Sequence, residues 1–199
     1  MLFESAINLN LKDADVHYYP DFFNPIQAAS YYKKLLKQIN WKQDNITVFG
    51  KTYLQPRLTA FYADNKISYK YSNITMQPNP FENDLLKIKY AIETELNINF
   101  TSCLANLYRD GTDSNGWHAD NEKELGENPI IASISFGAER FFNLKHRHDK
   151  TLKKKLILQH GSLLLMKGAT QANWLHQIPK TKKNVGKRIN LTFRIIKTL

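Results

Sequence analysis

Arg188-Ile189-Asn190-Leu191-Thr192-Phe193-Arg194-Ile195 alternates polar and apolar residues without a break. Successive side chains of an extended chain leave opposite faces, so this run predicts a strand. Arg188, Asn190, Thr192 and Arg194 share one face, and Ile189, Leu191, Phe193 and Ile195 share the other. An ordinary half-buried strand would turn such a polar face to water. Two arginines on one face have a second use, because each guanidinium can grip a carboxylate through two hydrogen bonds.

Strand-like runs continue upstream. Ser102–Tyr108, Ile130–Phe136, Arg140–Lys145, Leu156–Leu158 and Ser162–Met166 are predicted as strands, and the C-terminal one extends over Arg188–Ile196. Before them, Asn45–Tyr53 reads as a hairpin turning near Phe49-Gly50, followed by Pro56–Tyr62 and Ile67–Tyr71. Two helices precede most of these strands. Asn24-Pro25 opens the first, which runs to about Ile39. Leu85, Ile88, Ile92 and Leu96 recur at helical spacing in the second, predicted from Phe81 to Leu96 with Asn97 ending it. Early helices followed by many short strands imply an α+β domain built on a β-sandwich or barrel. No repeat or linker divides the chain, so residues 1–199 read as one domain.

Composition narrows the partners. Lys plus Arg number 28 against 18 Asp plus Glu, a formal net charge of +10. Such a surface favours polyanions, nucleic acid first, although a basic enzyme surface would look the same. The one cysteine, Cys103, excludes an intrachain disulfide and a Cys-rich zinc site. The N-terminus carries Glu4 and no long apolar core, and no apolar run approaches a membrane span. An intracellular, membrane-free protein is expected, in the cytoplasm or, in a eukaryote, the nucleus, and as a monomer.

Trp117-His118-Ala119-Asp120 places a histidine and a carboxylate two residues apart, on one face of an extended segment. Two histidines and a carboxylate on one side of an iron leave the other side open for substrate and oxygen. Of the remaining histidines, His176 follows the apolar strand Ser162–Met166 closely enough to point into a barrel. His160 precedes Gly161 and reads as a turn or strand-edge residue. His146 and His148 lie in the charged stretch Lys145–Lys155 and read as solvated. His17 reads as having no carboxylate at ligand spacing on its own strand face. Beside such a metal the paired arginines suit a dicarboxylate 2-oxo acid, with one carboxylate at the metal and one at the far end.

Several further segments, in order, resemble the AlkB-type dioxygenases, especially the eukaryotic-style DNA and RNA dealkylases. They are Val48-Phe49-Gly50-Lys51, Pro56-Arg57, Asn106-Leu107-Tyr108-Arg109-Asp110-Gly111 and Trp117-His118-Ala119-Asp120-Asn121-Glu122. Pro129–Ala138, His160-Gly161-Ser162-Leu163-Leu164, Gly168-Ala169-Thr170-Gln171 and Arg188–Arg194 complete the set. The resemblance runs from about residue 18 to the end. It implies a double-stranded β-helix (jelly-roll) core with the N-terminal helices packed outside. It implies Fe(II) on His118, Asp120 and His176. It also implies 2-oxoglutarate on Arg188 and Arg194, with Asn106, Tyr108 and Thr192 beside it. The implied reaction uses O2, turns 2-oxoglutarate into succinate and carbon dioxide, and hydroxylates an N-alkyl carbon. The adduct then releases an aldehyde and the repaired base.

A base inside a duplex cannot reach a buried iron, so single strands or a flipped base are required. Nucleotide recognition is expected in the region of about 42–75. Tyr69 and Tyr71 share a strand face. Alone they read as strand packing, but the resemblance puts them in the base pocket, with Tyr71 opposite the ring of His118. Ser72 is a further candidate there. Glu122 reads equally as a hydrogen-bond partner of a base edge and as a solvated carboxylate. Phe49, at the hairpin tip before Gly50, can wedge into a base stack or pack back on its own sheet. In relatives that act on duplex DNA a similar Phe fills the gap left by the flipped base. Lys145, Arg147, Lys150, Lys153, Lys154 and Lys155 form one basic stretch. Lys180, Lys182 and Lys183 form another; both are expected to touch phosphates. DNA is the expected partner, with RNA open. A non-catalytic nucleic-acid-binding module and an oxygenase of protein or small molecules are the competing readings. The intact triad and arginines oppose the first, and the basic stretches and hairpin oppose the second.

Overall fold

The computed structural model describes residues 6–48, 50–64, 69–71 and 74–197. In chain order the elements begin with β1 (Ile7–Asn8), β2 (Asp15–Tyr19) and α1 (Pro25–Gln38). The hairpin strands β3 (Asn45–Val48) and β4 (Lys51–Leu54) precede β5 (Leu58–Ala63), β6 (Tyr69–Tyr71), β7 (Ile74–Met76) and α2 (Asn83–Leu96). Then come β8 (Ser102–Tyr108), β9 (Asn115–His118), a 3-10 turn at Lys123–Leu125, β10 (Ile131–Gly137) and β11 (Arg140–His146). The chain finishes with β12 (Lys153–Leu158), β13 (Leu163–Lys167), α3 (Thr170–Asn173), β14 (Trp174–Ile178) and β15 (Arg188–Arg194).

A seven-stranded sheet has the order β1-β2-β13-β10-β15-β8-β5, and a four-stranded sheet the order β12-β11-β14-β9. β3–β4 and β6–β7 are separate antiparallel ribbons. The alternation of β15 explains the layering. Ile189, Leu191 and Phe193 pack with Leu35 of α1 and with Ile88 and Ile92 of α2 in one core. Arg188, Asn190, Thr192 and Arg194 are buried too, so the polar face is not solvated. It looks inward, toward the smaller sheet, where Leu164, Met166, Phe142, Leu144, Trp174 and Ile178 form a second core. The expected jelly roll with helices outside the larger sheet is therefore what forms.

Local chemistry accounts for the helices. Asn24 accepts from the Gln27 amide while the Gln27 side chain accepts from the Asn24 amide, a reciprocal cap with Pro25 in the first turn. The second helix starts at Asn83 rather than Phe81: Glu82 is still extended, and the Phe81 ring stacks on Phe193. Asn97 in the left-handed conformation ends it, as expected.

Other boundaries differ as well. β1, β2, β7 and β14 lie outside the strands read from the sequence, although β2 and β14 alternate: Val16 and Tyr18 are buried in β2, as are Trp174, His176 and Ile178 in β14. β12 begins at Lys153 rather than Leu156, so the three lysines stand on a strand. His17 does have a carboxylate at ligand spacing: its Nε2 lies 2.7 Å from Asp15 Oδ1 on the same strand face. His146 is buried rather than solvated, edge-on to Trp174 at 5.4 Å, with its Nδ1 accepting from the amides of His148 and Asp149. His148 is exposed, as expected. No helix among the described residues is long and apolar enough to cross a membrane.

Ile88, with no exposed surface, lies at the centre of the core behind β15. Ile88→Ala is expected to cost about 2–5 kcal/mol, and Tyr90→Ala, at a position 57% exposed, about 0.5 kcal/mol or less. Urea unfolding of both variants checks this, and equal losses would contradict the layering.

Candidate active site

His118 ends β9 and pairs directly across from His176 on β14, and Asp120 lies just past the strand. A bulge between His176 and Ile178 breaks the register. The ligand atoms of His118, Asp120 and His176 all lie within 4.8 Å of one another. The imidazole centroids are 4.3 Å apart, and Phe142 stacks on His176 at 5.1 Å.

Hydrogen bonds orient two of the three candidate ligands, His118 and Asp120. His118 Nδ1 sits 2.8 Å from the Gly116 carbonyl oxygen, which can only accept, so that nitrogen carries the proton. Nε2 then accepts from the Asn115 side-chain amide at 3.1 Å, and it lies 3.7 Å from Asp120 Oδ1. The Asp120 amide donates to Gln171 Oε1 at 2.9 Å. Asp120 Oδ2 accepts from Arg194 Nη2 at 2.8 Å and Nε at 3.2 Å, while Oδ1 is buried without a partner.

The charges are tuned to match. Burial alone would raise the Asp120 carboxyl, but Arg194 and the two imidazoles outweigh it and hold it at about 2. Burial pushes His176 down to about 3, helped by His118 beside it. Burial also lowers His118, against the pull of Asp120. At neutral pH the cluster is one carboxylate and two neutral imidazoles, the protonation state that a metal requires. The unpartnered Asp120 Oδ1 and the converging nitrogens fit a divalent cation of the two-histidine, one-carboxylate kind.

Along the same cavity lie Asn106, Tyr108, Arg188, Thr192 and Arg194, so every candidate metal and co-substrate residue lines one space. Arg188 is 1% exposed. Its Nη2 donates to Ser135 Oγ at 2.9 Å, but Nε and Nη1 have no hydrogen-bond partner. Burial lowers its pKa to about 10, partly offset by Tyr108, whose ring centroid lies 5.2 Å from the guanidinium carbon. An unpaired buried cation is costly, and a carboxylate in the cavity would satisfy it. Arg194, read from the sequence as the second arm of the clamp, is held by Asp120. Asn190 links the wall between them: its Oδ1 accepts from Asn106 and Thr192, and its Nδ2 donates to Ser133. Arg57 Nε donates to Asn106 Oδ1 at 2.8 Å.

Sequence reasoning assigned no role to Gln171, Asn190, Ser133, Ser135 or Arg57. Asn190 was visible on the polar face of β15, and Ser133 and Ser135 alternate along β10. Nothing local marked Gln171 as the partner of Asp120, 51 positions earlier. Glu122 is half-buried before the 3-10 turn. Lys153, Lys154, Lys155, Lys182 and Lys183 are exposed. Tyr69 and Tyr71 lie two apart on β6, which pairs with β7. Phe49 and Ser72 lie outside the described residues. His160 is a turn residue whose Nδ1 accepts from Gly137, as expected.

The family described as the 2OG-Fe(II) oxygenase superfamily matches residues 15–194. The chain is 43% identical over 186 residues to alpha-ketoglutarate-dependent dioxygenase alkB homolog 3 of Bos taurus, an alignment covering 89% of this chain and 64% of that protein. It is 36% identical over 211 residues to DNA oxidative demethylase ALKBH2 of Arabidopsis thaliana, covering 92% of this chain and 67% of that protein. In fold it is similar to the solved structure of OsALKBH1, with a TM-score of 0.69 at 17% identity over 96% of this chain and 100% of that one.

The unpaired Arg188 guanidinium makes a measurable prediction. With Mn(II) present and oxygen excluded, 2-oxoglutarate at about 100 times its Kd should stabilise the protein by about 2.7 kcal/mol. Arg188→Met should lose that gain while the ligand-free protein becomes no less stable. Thermal unfolding with and without 2-oxoglutarate reads both, and an undiminished shift in Arg188→Met would contradict the assignment.

Proposed function

The chain belongs to the 2OG-Fe(II) oxygenase superfamily, and from that premise we propose that it is an oxidative dealkylase of nucleic-acid bases. The observation that carries the reading is one cavity lined both by a tuned His118–Asp120–His176 cluster and by a buried Arg188 with no carboxylate partner among the described residues. The names of the relatives and the net charge of +10 support nucleic acid as the substrate class. DNA is the proposed partner, with RNA as a second substrate. The expected setting is the cytoplasm or, in a eukaryote, the nucleus, with the protein a monomer.

His118, Asp120 and His176 would hold Fe(II), and Arg188 would hold the far carboxylate of 2-oxoglutarate, with Asn106, Tyr108 and Thr192 along its length. Bound there with O2, these groups supply the oxidation that hydroxylates an N-alkyl carbon while 2-oxoglutarate becomes succinate and carbon dioxide. Arg194 keeps Asp120 ionised and turns one oxygen toward the metal position. The Gly116 carbonyl fixes the His118 tautomer, and Gln171 anchors the Asp120 backbone. Phe142, Leu158, Met166 and Ile178 give the cavity dry walls. In this reading Tyr71 and the His118 ring bracket the base, with Tyr69, Ser72 and Glu122 beside it. Lys153, Lys154, Lys155, Lys182 and Lys183 meet the phosphates. The ribbons within about 42–75 form the nucleotide-recognition region of this one domain.

A panel of N1-methyladenine and N3-methylcytosine in DNA and RNA, single- and double-stranded, tests the proposal. Succinate should form in step with the repaired base, and His118→Ala, Asp120→Ala and His176→Ala should each abolish both. Succinate formation indifferent to every methylated oligonucleotide would overturn the proposal in favour of another substrate class.

Substrate form depends on Phe49. Val48 pairs with Lys51, and Gly50 takes a positive φ of 75°, a conformation that lets the hairpin turn tightly. If Phe49 fills the gap left by a flipped base, it replaces lost stacking of roughly a few kcal/mol. Phe49→Ala should then lower initial rates on methylated duplex far more than on the matching single strand. An unchanged ratio with a lowered melting temperature would show packing on its own sheet instead.

A further inference from the structure

The outer face of the smaller sheet is polar, aromatic and open. β11 sends Phe142 and Leu144 inward, so Phe141, Asn143 and Lys145 face out. Opposite them on β12, in register, stand Ile157, Lys155 and Lys153. Trp117 of β9 points the same way, being the neighbour of inward-facing His118. α1 and α2 cover the other sheet, and Trp117 and Ile157 are 40% and 43% exposed.

Two shallow depressions mark this face. Trp117, Lys145, Lys153 and Lys154 line one, Phe141, Ile157, Lys180 and Lys183 line the other, and Asn143 with Lys155 lines both. Together they make a continuous track of roughly 15–20 Å along the strands at about 3.3 Å per residue. Its walls carry six lysines against one carboxylate, Glu139. Ammonium groups sit on the rings: Lys145 Nζ is 4.3 Å from the Trp117 centroid, and Lys155 Nζ is 3.6 Å from that of Phe141. Midway, Asn143 Oδ1 is buried and has no hydrogen-bond partner.

Lysines on an edge strand guard it against pairing with other sheets, which alone would account for β12. That role leaves Trp117 and Phe141, on other strands, unexplained. We propose that this face is a second nucleic-acid site, a track that takes the single-stranded flank of the substrate strand beyond the base in the cavity. Bases stack on the rings of Trp117 and Phe141, and the displaced ammonium groups move onto the phosphates between them. The occupant is a single strand because only unstacked bases expose their faces to the rings, and a flat sheet does not enter a groove. The proposal rests on the reading of the chain as a nucleic-acid dealkylase.

The test uses the full chain and two substrates, a methylated trinucleotide and an oligonucleotide of about 12 residues with the same lesion at its centre, plus an unmethylated version of the longer one. Phe141→Ser and Trp117→Ser, placed at opposite ends of the track, guard against one variant failing to fold, and circular dichroism reports folding. Each should weaken binding of the unmethylated oligonucleotide about tenfold, read by fluorescence anisotropy. Wild-type tryptophan fluorescence should be quenched on binding, and Phe141→Ser should leave kcat/KM on the trinucleotide within about twofold. Unchanged binding in both folded variants would overturn the track, as would an equal loss on the trinucleotide in Phe141→Ser. Binding that depends on both rings, in a protein that repairs nothing, would keep the track and sink the dealkylase reading. Repair of the trinucleotide with ring-independent binding would do the reverse.

Discussion

The carboxylate of Asp120 is fully buried, and a charge there persists only if something meets it. Arg194 does so with two donors on one oxygen, which leaves the other oxygen aimed into the cavity. Much of the architecture follows from this pair. Arg194 ends β15, paired with Ile131 on one side and Ser102 on the other. A slip of one residue would turn both arginines toward the helices and the phenylalanine of position 193 into the cavity. The apolar half of β15 must therefore be covered, and α1 and α2 cover it. The helices hold the register of the strand that makes the buried Asp120 charge tenable.

The loops around the site are tied down by comparable means. Buried Arg140 donates to the carbonyls of Asp110, Asp113 and Pro179, joining the segment before β9 to the start of the basic loop. The same two segments meet at Gly111, where an added Cβ would come within 2.4 Å of the Thr181 carbonyl oxygen, so only glycine allows the approach. Lys182 and Lys183 thus project from a fixed base, close in sequence to the strand that carries His176.

How far the sequence was readable follows from how far each interaction reaches along the chain. The alternation of β15, the cap of α1 and the spacing of His118 and Asp120 are local patterns, and each predicted its element or pair. His176 was found because it follows an apolar strand. What escaped was set by partners far away. That Arg194 also binds Asp120 depends on a contact 74 positions apart. His146 looked solvated among charges, but its strand neighbours alternate inward and carry it against Trp174. His17 differs at short range: Asp15 stands two residues before it on β2, on the same strand face. Lys153–Lys155 resembled a loop because charge obscured their pairing with β11.

Arg188 stands six residues along the strand from the arginine that serves the metal cluster, roughly 20 Å at strand spacing. The carboxylate it would hold is the one that oxidation leaves untouched. Succinate keeps that carboxylate, so the Arg188 end cannot tell the spent acid from the fresh one. Discrimination would fall to the metal end, where the C1 carboxylate leaves as carbon dioxide and the 2-oxo carbon becomes a carboxylate. On the proposed reading, the guanidinium that would recruit the co-substrate would also admit its product, and turnover would follow the ratio of the two acids rather than the level of either.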